Sequence, residues 1–161
     1  MDYKTIVVPY DFSEHADAAL AVADDLAKRF GAELHLLHVI HIREFQSVWG
    51  GSFPLQAVSA EVREQAARAL AEVATGRAVL APRVHARIDE GSQVAERICE
   101  RALELEADLL VMGTHGRTGL AHTFLGSTTE RTLRTAPCPV LAVRARSAVN
   151  EGPSANSTEL G

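Results

Sequence analysis

The chain alternates short, apolar, β-rich runs with longer stretches whose apolar residues recur every three or four positions. That order is the signature of successive βα units, in which helices cover both faces of a parallel sheet. Thr5-Ile6-Val7-Val8, stopped by Pro9, is continuously apolar, as a strand buried on both faces must be, and is expected at the sheet centre. A helix is predicted from about Ser13 to Phe30, with Ala16, Ala19, Leu20, Ala23, Leu26 and Ala27 at helical spacing and Gly31 closing it. Glu33 to Ile40 reads as the second strand, a segment within Val84 to Ile88 as the third, Asp108 to Met112 as the fourth and Val140 to Val143 as the fifth. An alanine-rich helix is predicted from about Gln56 to Ala74, interrupted by Gly76, and another opens after Gly91 with Ser92 as its N-cap. A short helix precedes the breaker Pro137-Cys138-Pro139.

Two segments fall outside this pattern. Residues 41 to 55 carry Gly50-Gly51, Pro54 and the single tryptophan, Trp49, and read as an irregular excursion that serves as a lid or a partner contact. Residues 147 to 161 have almost no large apolar side chains and read as a disordered tail, which leaves one domain over residues 1 to 146.

Composition narrows the function classes. A chain of 161 residues removes about 70% of its unfolded surface from water on folding, and 47% hydrophobic content is enough for a core without staples. The two cysteines, Cys99 and Cys138, are too few for a disulfide framework and suit a reducing compartment, so the cytoplasm is expected. The N-terminus reads as neither a signal peptide nor a spanning helix, and no apolar stretch approaches the roughly 20 residues a bilayer crossing needs. With 16 basic against 21 acidic side chains and the basic ones dispersed, no nucleic-acid or membrane footprint is expected. An anion would have to be held locally.

The segment Met112 to Glu130 is where local binding can be sought. Gly113, Gly116 and Gly126 let a backbone approach a ligand and can turn successive N–H groups toward an anion. Ser127, Thr128 and Thr129 then bring hydroxyls and unpaired N–H groups at a helix N-terminus, and Arg117 can add a charge-assisted bond. The alternative is structural: Ser127 and Glu130 also make a good capping box. At the end of the first strand, Asp11 can accept from ribose hydroxyls or act as a turn carboxylate, with Ser13 as the competing cap, and Val39 borders an adenine pocket or is plain core. No Gly-Lys-Ser/Thr and no G-x-G-x-x-G after the first strand support a kinase-like or dinucleotide reading. His115 and His122 make weak catalytic candidates, so no catalytic residue is assigned. The seven histidines, among them His35, His38, His41 and His85, share neither a helix face nor a metal-ligand spacing, so no protein-only metal site is expected.

Pro9-Tyr10-Asp11-Phe12-Ser13-Glu14, Leu36-Leu37-His38-Val39, Gly91 before a helix, and Gly113-x-x-Gly116 followed by nine residues and Gly126-Ser127 together resemble the universal stress proteins. The resemblance spans about residues 3 to 145. It implies an α/β fold with an open five-stranded parallel sheet of order 3-2-1-4-5 and helices on both faces. It further implies the ATP-binding branch, with Gly113, Gly116, Gly126 and Ser127 at the phosphates, Thr128, Thr129, Met112, His115 and Arg117 nearby, Asp11 at ribose, and Pro9 and Val39 at adenine. ATP, or ADP or AMP, with Mg2+ or Mn2+ is the implied cofactor. A homodimer through the apolar fifth strand, Val140, Leu141, Ala142 and Val143, is implied as well, acting as a nucleotide-responsive stress factor with slow or no hydrolysis. A nucleotide-free dimeric interaction module and a weak ATPase or phosphotransferase are the alternatives.

Overall fold

The computed structural model describes residues 2–42, 55–77, 83–116 and 125–145. The strands are β1 (Thr5–Pro9), β2 (Glu33–His41), β3 (Val84–Gly91), β4 (Leu109–Gly113) and β5 (Val140–Val143). The helices are α1 (Glu14–Phe30), α2 (Leu55–Arg77), α3 (Val94–Glu104) and α4 (Ser127–Thr135). The sheet runs β3-β2-β1-β4-β5 with every pairing parallel, the order expected.

β1 takes the central place, with a paired strand on each side and its middle residues buried on both faces. Ile6, Val7 and Val8 have no exposed surface, and they divide between two cores. Ile6 and Val8 pack with Ala16, Leu20, Ala23 and Ala27 of α1 and Leu70 of α2 on one face. Val7 packs with Leu37, Leu110 and Ile98 and Ala102 of α3 on the other. Fully burying such side chains contributes about 1.5–3 kcal/mol each.

Helix ends follow local chemistry. Ser13 caps α1, its Oγ accepting from the Ala16 N–H at 3.2 Å, and Gly31 closes the helix in the left-handed region at φ 67°. α2 extends to Arg77, past the expected stop at Ala74; Gly76 is exposed with open space around it, so it costs about 1 kcal/mol of propensity without breaking the last turn. β3 continues to Gly91, three residues beyond Ile88, because β2 offers a ladder through His41. The N-cap of α3 is Gln93 and not Ser92, and the Gln93 side chain makes no capping bond. Residues 43 to 54, Arg117 and the tail 147 to 161 lie outside the described residues.

Cys138 packs against the Val7 cluster, and burial, reinforced by Cys99 nearby, pushes its thiol up from the ordinary value, which suits a packing residue better than a redox sensor. α3 is locked to β3 by an ion pair that periodicity did not suggest. Arg101, 6% exposed, donates to Asp89, 5% exposed, from Nε at 2.9 Å and Nη2 at 3.0 Å. Arg87 and Arg97 add contacts at 3.2 Å. Burial alone would raise the Asp89 carboxyl, but the bonds from Arg101 and Arg87 and the Arg101 and Arg97 charges outweigh it and hold the carboxyl below its usual value. The stabilisation is therefore present above the unfolded-state value of about 3.9 and is lost as pH falls through the lower folded value. Arg101→Met removes two hydrogen bonds to Asp89 and leaves that carboxylate with Arg87 and Arg97 as partners; it should cost about 1.5–3 kcal/mol in urea unfolding, with a flatter loss of stability below pH about 4 than the wild type shows.

Candidate functional site

The strand order reverses at β1, whose neighbours β2 and β4 continue to opposite sides, and such a reversal opens a crevice beyond the carboxyl ends of the strands. A cavity of about 960 Å³ lies there. Pro9 and Asp11 reach it from the end of β1, Val39 from β2, Met112, Gly113, His115 and Gly116 from β4 and the turn after it, and Gly126, Ser127, Thr128 and Thr129 from the start of α4. Every expected nucleotide-site residue among the described residues thus lines one crevice; Arg117 lies outside the described residues.

The β1–α1 turn aims Asp11. Its Oδ1 accepts from the Ser13 N–H at 3.1 Å and the Ser13 hydroxyl at 2.5 Å, so the turn-carboxylate role is real and Ser13, not Asp11, is the cap. Phe12 follows at φ 64°, a left-handed conformation that costs a side-chain-bearing residue about 1–3 kcal/mol. Its ring is held by Tyr10 at a centroid distance of 5.2 Å and by His38 at 4.9 Å. His38 in turn donates from Nδ1 to the Tyr10 carbonyl at 2.7 Å. The strained turn leaves Asp11 Oδ2 facing Gly116, where an added Cβ would sit only 2.7 Å from that oxygen.

The glycines work by leaving room, not by unusual dihedrals: among described glycines only Gly31 has a positive φ. A Cβ on Gly113 would meet the backbone carbonyl of His15 at 2.9 Å, so β4 can approach the first turn of α1 only without a side chain there. Gly126 is different, with its nearest neighbours at 3.5 Å, and its value lies in what it lacks as the N-cap of α4.

The alternative reading of Ser127 and Glu130 as a capping box does not hold. Ser127 is the first helical residue, Gly126 precedes it at φ −67° and ψ 149° with no side chain to bond the helix end, and Glu130 pairs instead with Arg134 at 2.8 Å. The first intrahelical bond of α4 is from the Glu130 N–H to the Gly126 carbonyl at 2.9 Å. The N–H groups of Ser127, Thr128 and Thr129 precede it and have no carbonyl within the helix to donate to. This end is fixed to β4 by two bonds, Gly126 N–H to the Thr114 carbonyl and Thr129 Oγ1 to the Gly113 carbonyl, both 2.8 Å. Thr129 is 3% exposed, so its hydroxyl is a fastening and not one of the ligand-facing groups expected.

Sequence reasoning missed three contributors. The start of α3, Ser92 and Gln93, also lines the crevice without a side-chain cap, which brings a second helix N-terminus to it. Arg131 and Arg134 of α4 line it too, Arg131 bonding Gln93 across the opening at 2.5 Å. His15 stands beside His115 with ring centroids 5.2 Å apart, its Nδ1 accepting from the Ala145 N–H at 3.3 Å. Only the fold brings these residues together; their spacing in the chain carries no signal.

Comparison with known proteins decides the family. The model of the universal stress protein family matches residues 2–144. The chain belongs to this family. Among curated universal stress proteins, MJ0531 of Methanocaldococcus jannaschii is 37% identical over 143 residues, covering 88% of this chain and 82% of that protein. Among solved structures, the hypothetical protein MJ0577 superposes with a TM-score of 0.81 at 30% identity, covering 92% of this universal stress protein and all of that chain. A universal stress protein solved in complex with cAMP matches at a TM-score of 0.60 and 25% identity, over 91% of this chain and 100% of its own.

The two glycines give opposite outcomes on substitution. Gly113→Ala should lower the melting temperature by several degrees, since His15 cannot retreat without moving α1, whereas Gly126→Ala should leave it within about 2 °C. Thermal unfolding followed by circular dichroism separates the two.

Proposed function

We propose that this universal stress protein binds ATP with a divalent ion in the crevice between β1 and β4, and acts as a dimeric, nucleotide-responsive stress factor in the cytoplasm. The observation that carries the reading is the start of α4. A helix N-terminus with roughly half a positive charge, capped by a glycine and fastened rigidly to β4, faces a cavity large enough for a nucleotide. The triphosphate lies across Gly113, Gly116, Gly126, Ser127 and Thr128. The second helix N-terminus and the guanidinium group of Arg131 raise the positive potential further, while Arg134 is balanced by Glu130. Asp11 Oδ2, held beside Gly116, takes the ribose hydroxyls, and Pro9 and Val39 flank the base.

Among the described residues the crevice lining supplies two carboxylates, Asp11 and Glu130, and Glu130 is paired with Arg134. Mg2+ or Mn2+ therefore takes most of its ligands from phosphate oxygens and water, as Mg2+ commonly does. Among the described lining residues none is assigned to activating an attacking water, and turnover is expected to be slow or absent. Cyclic AMP is the second reading, favoured by the cAMP-bound relative. It shares the adenine and ribose contacts but leaves most of the α4 amides unused.

Dimerisation rests on β5, an edge strand with Leu141 38% exposed. The Pro139 and Val143 carbonyls accept from Leu110 and Thr114. By strand alternation Pro139, Leu141 and Val143 thus point their backbone groups at β4, and Val140 and Ala142 point theirs outward, free to pair with a twin strand.

Two experiments test these readings. Calorimetric titration should show one ATP per chain with Mg2+, weaker cAMP, and loss of binding in Gly116→Val while the fold persists; equal affinity of the folded variant would remove the site assignment. Ala142→Pro removes an outward N–H without touching the β4 ladder, and should convert a dimer to a monomer by light scattering with ATP affinity retained. An unchanged dimer would place the interface elsewhere.

A further inference from the structure

β2 and β3 pair in a register that sets His35 directly opposite His85. The two imidazoles lie 4.5 Å apart, centroid to centroid, with their planes 19° from parallel. Glu33 stands two residues before His35 on the same face of β2. Its Oε2 lies 3.4 Å from His85 Nε2 and 3.8 Å from His35 Nε2, and one donor atom from each of the three residues lies within 4.8 Å of the others. The 49 residues of chain between the histidines hide this in the sequence; only the strand register exposes it.

Those separations are too long for good hydrogen bonds, which fall near 2.7–3.2 Å. The 3.4 Å separation comes close to a different geometry, and the wider ones lie within reach of it. Metal–ligand bonds of about 2.0–2.1 Å at tetrahedral angles place donor atoms about 3.3 Å apart. The donors converge from two strands of a rigid sheet, so small rotations of the rings complete the arrangement. The other carboxylate oxygen, Glu33 Oε1, is held by Arg83 Nη1 at 2.9 Å, which orients Oε2 toward the rings as outer-shell partners of metal-ligating carboxylates do. His85 and Glu33 are partly open to solvent and His35 more enclosed, giving an entry path and room for a water as fourth ligand.

We propose that Glu33, His35 and His85 form a binding site for a divalent transition-metal ion of the Zn(II) class. The site sits at the amino-terminal end of the sheet, the end opposite the nucleotide crevice, and is independent of it. Two imidazoles and one carboxylate favour Zn(II) or Co(II) over Mg2+ and Ca2+, which prefer an all-oxygen shell. A bound ion ties the edge strand β3 to β2 and so stabilises that edge of the sheet.

The test is a Co(II) titration of protein stripped of metal by chelation and free of nucleotide, followed by the visible absorption of tetrahedral Co(II) and then by displacement with Zn(II). The expected result is one equivalent per chain, with Zn(II) raising the melting temperature. His85→Ala should weaken binding by more than about 100-fold, beyond the loss typical of an outer-shell partner. Glu33→Gln, a change at a partly exposed position that keeps both rings, should weaken it as well and covers the case in which the histidine variant folds poorly. Absence of a tetrahedral spectrum overturns the proposal. So does affinity unchanged in folded His85→Ala and Glu33→Gln, or affinity lost only in His115→Ala, which would place the ion at the His15–His115 pair.

Discussion

Burial of β1 on both faces and along both edges is the constraint from which the remaining geometry follows. Ile6, Val7 and Val8 must be shielded from above by α1 and α2 and from below by α3, and must hydrogen-bond to a strand on each side. Once β2 and β4 occupy those sides, the chain has to leave β1 and β4 at the same end of the sheet. The turn after β1 and the turn after β4 then share one crevice. Gly113 sets how closely they meet, because its missing side chain is the space in which the carbonyl of His15 sits. Packing at the sheet centre thus determines the width of a site several residues away.

The helix ends give that crevice its electrostatic character. α1 carries its own cap in Ser13, so its dipole is met from within. α3 and α4 begin at Gln93 and Gly126 without a side-chain cap, and both open onto the cavity. A helix N-terminus without a side-chain cap forgoes about 1 kcal/mol, or only a few tenths where glycine holds the cap position, and the cost is offset when an anion supplies the missing acceptors. The distribution of caps is therefore the feature that separates a turn built for packing from one built to receive charge. Gly126 illustrates it: its dihedrals suit any residue, its surroundings would admit a methyl group, and what it provides is the absence of a competing oxygen.

The strands and helices were legible because burial imposes periodicity, and β1 was legible most clearly because it is buried on every side. Strand order came from the family resemblance carried by Pro9 to Glu14 and by the glycine spacing, since periodicity alone does not order strands. The resemblance also named residues that meet in one crevice, but the sequence mis-assigned how some of them act. Ser127 and Glu130 looked like a capping box because their spacing fits one, and only the position of the first helical bond shows that Gly126 holds the cap position. Thr129 looked free and is buried against Gly113. What stayed hidden depends on register and side-chain reach across the sheet: the Asp89–Arg101 clamp, the His15–His115 pair, and the alignment of His35 with His85.

The central claim is that the amides at the start of α4 receive the phosphates, and amide resonances report it directly. In a 15N-labelled sample titrated with ATP and Mg2+, the Ser127 and Thr128 N–H signals should move strongly downfield as they gain charged acceptors, while the Ala16 N–H, already capped by Ser13, moves little. Saturable ATP binding that leaves the Ser127 and Thr128 amides unmoved would contradict the account.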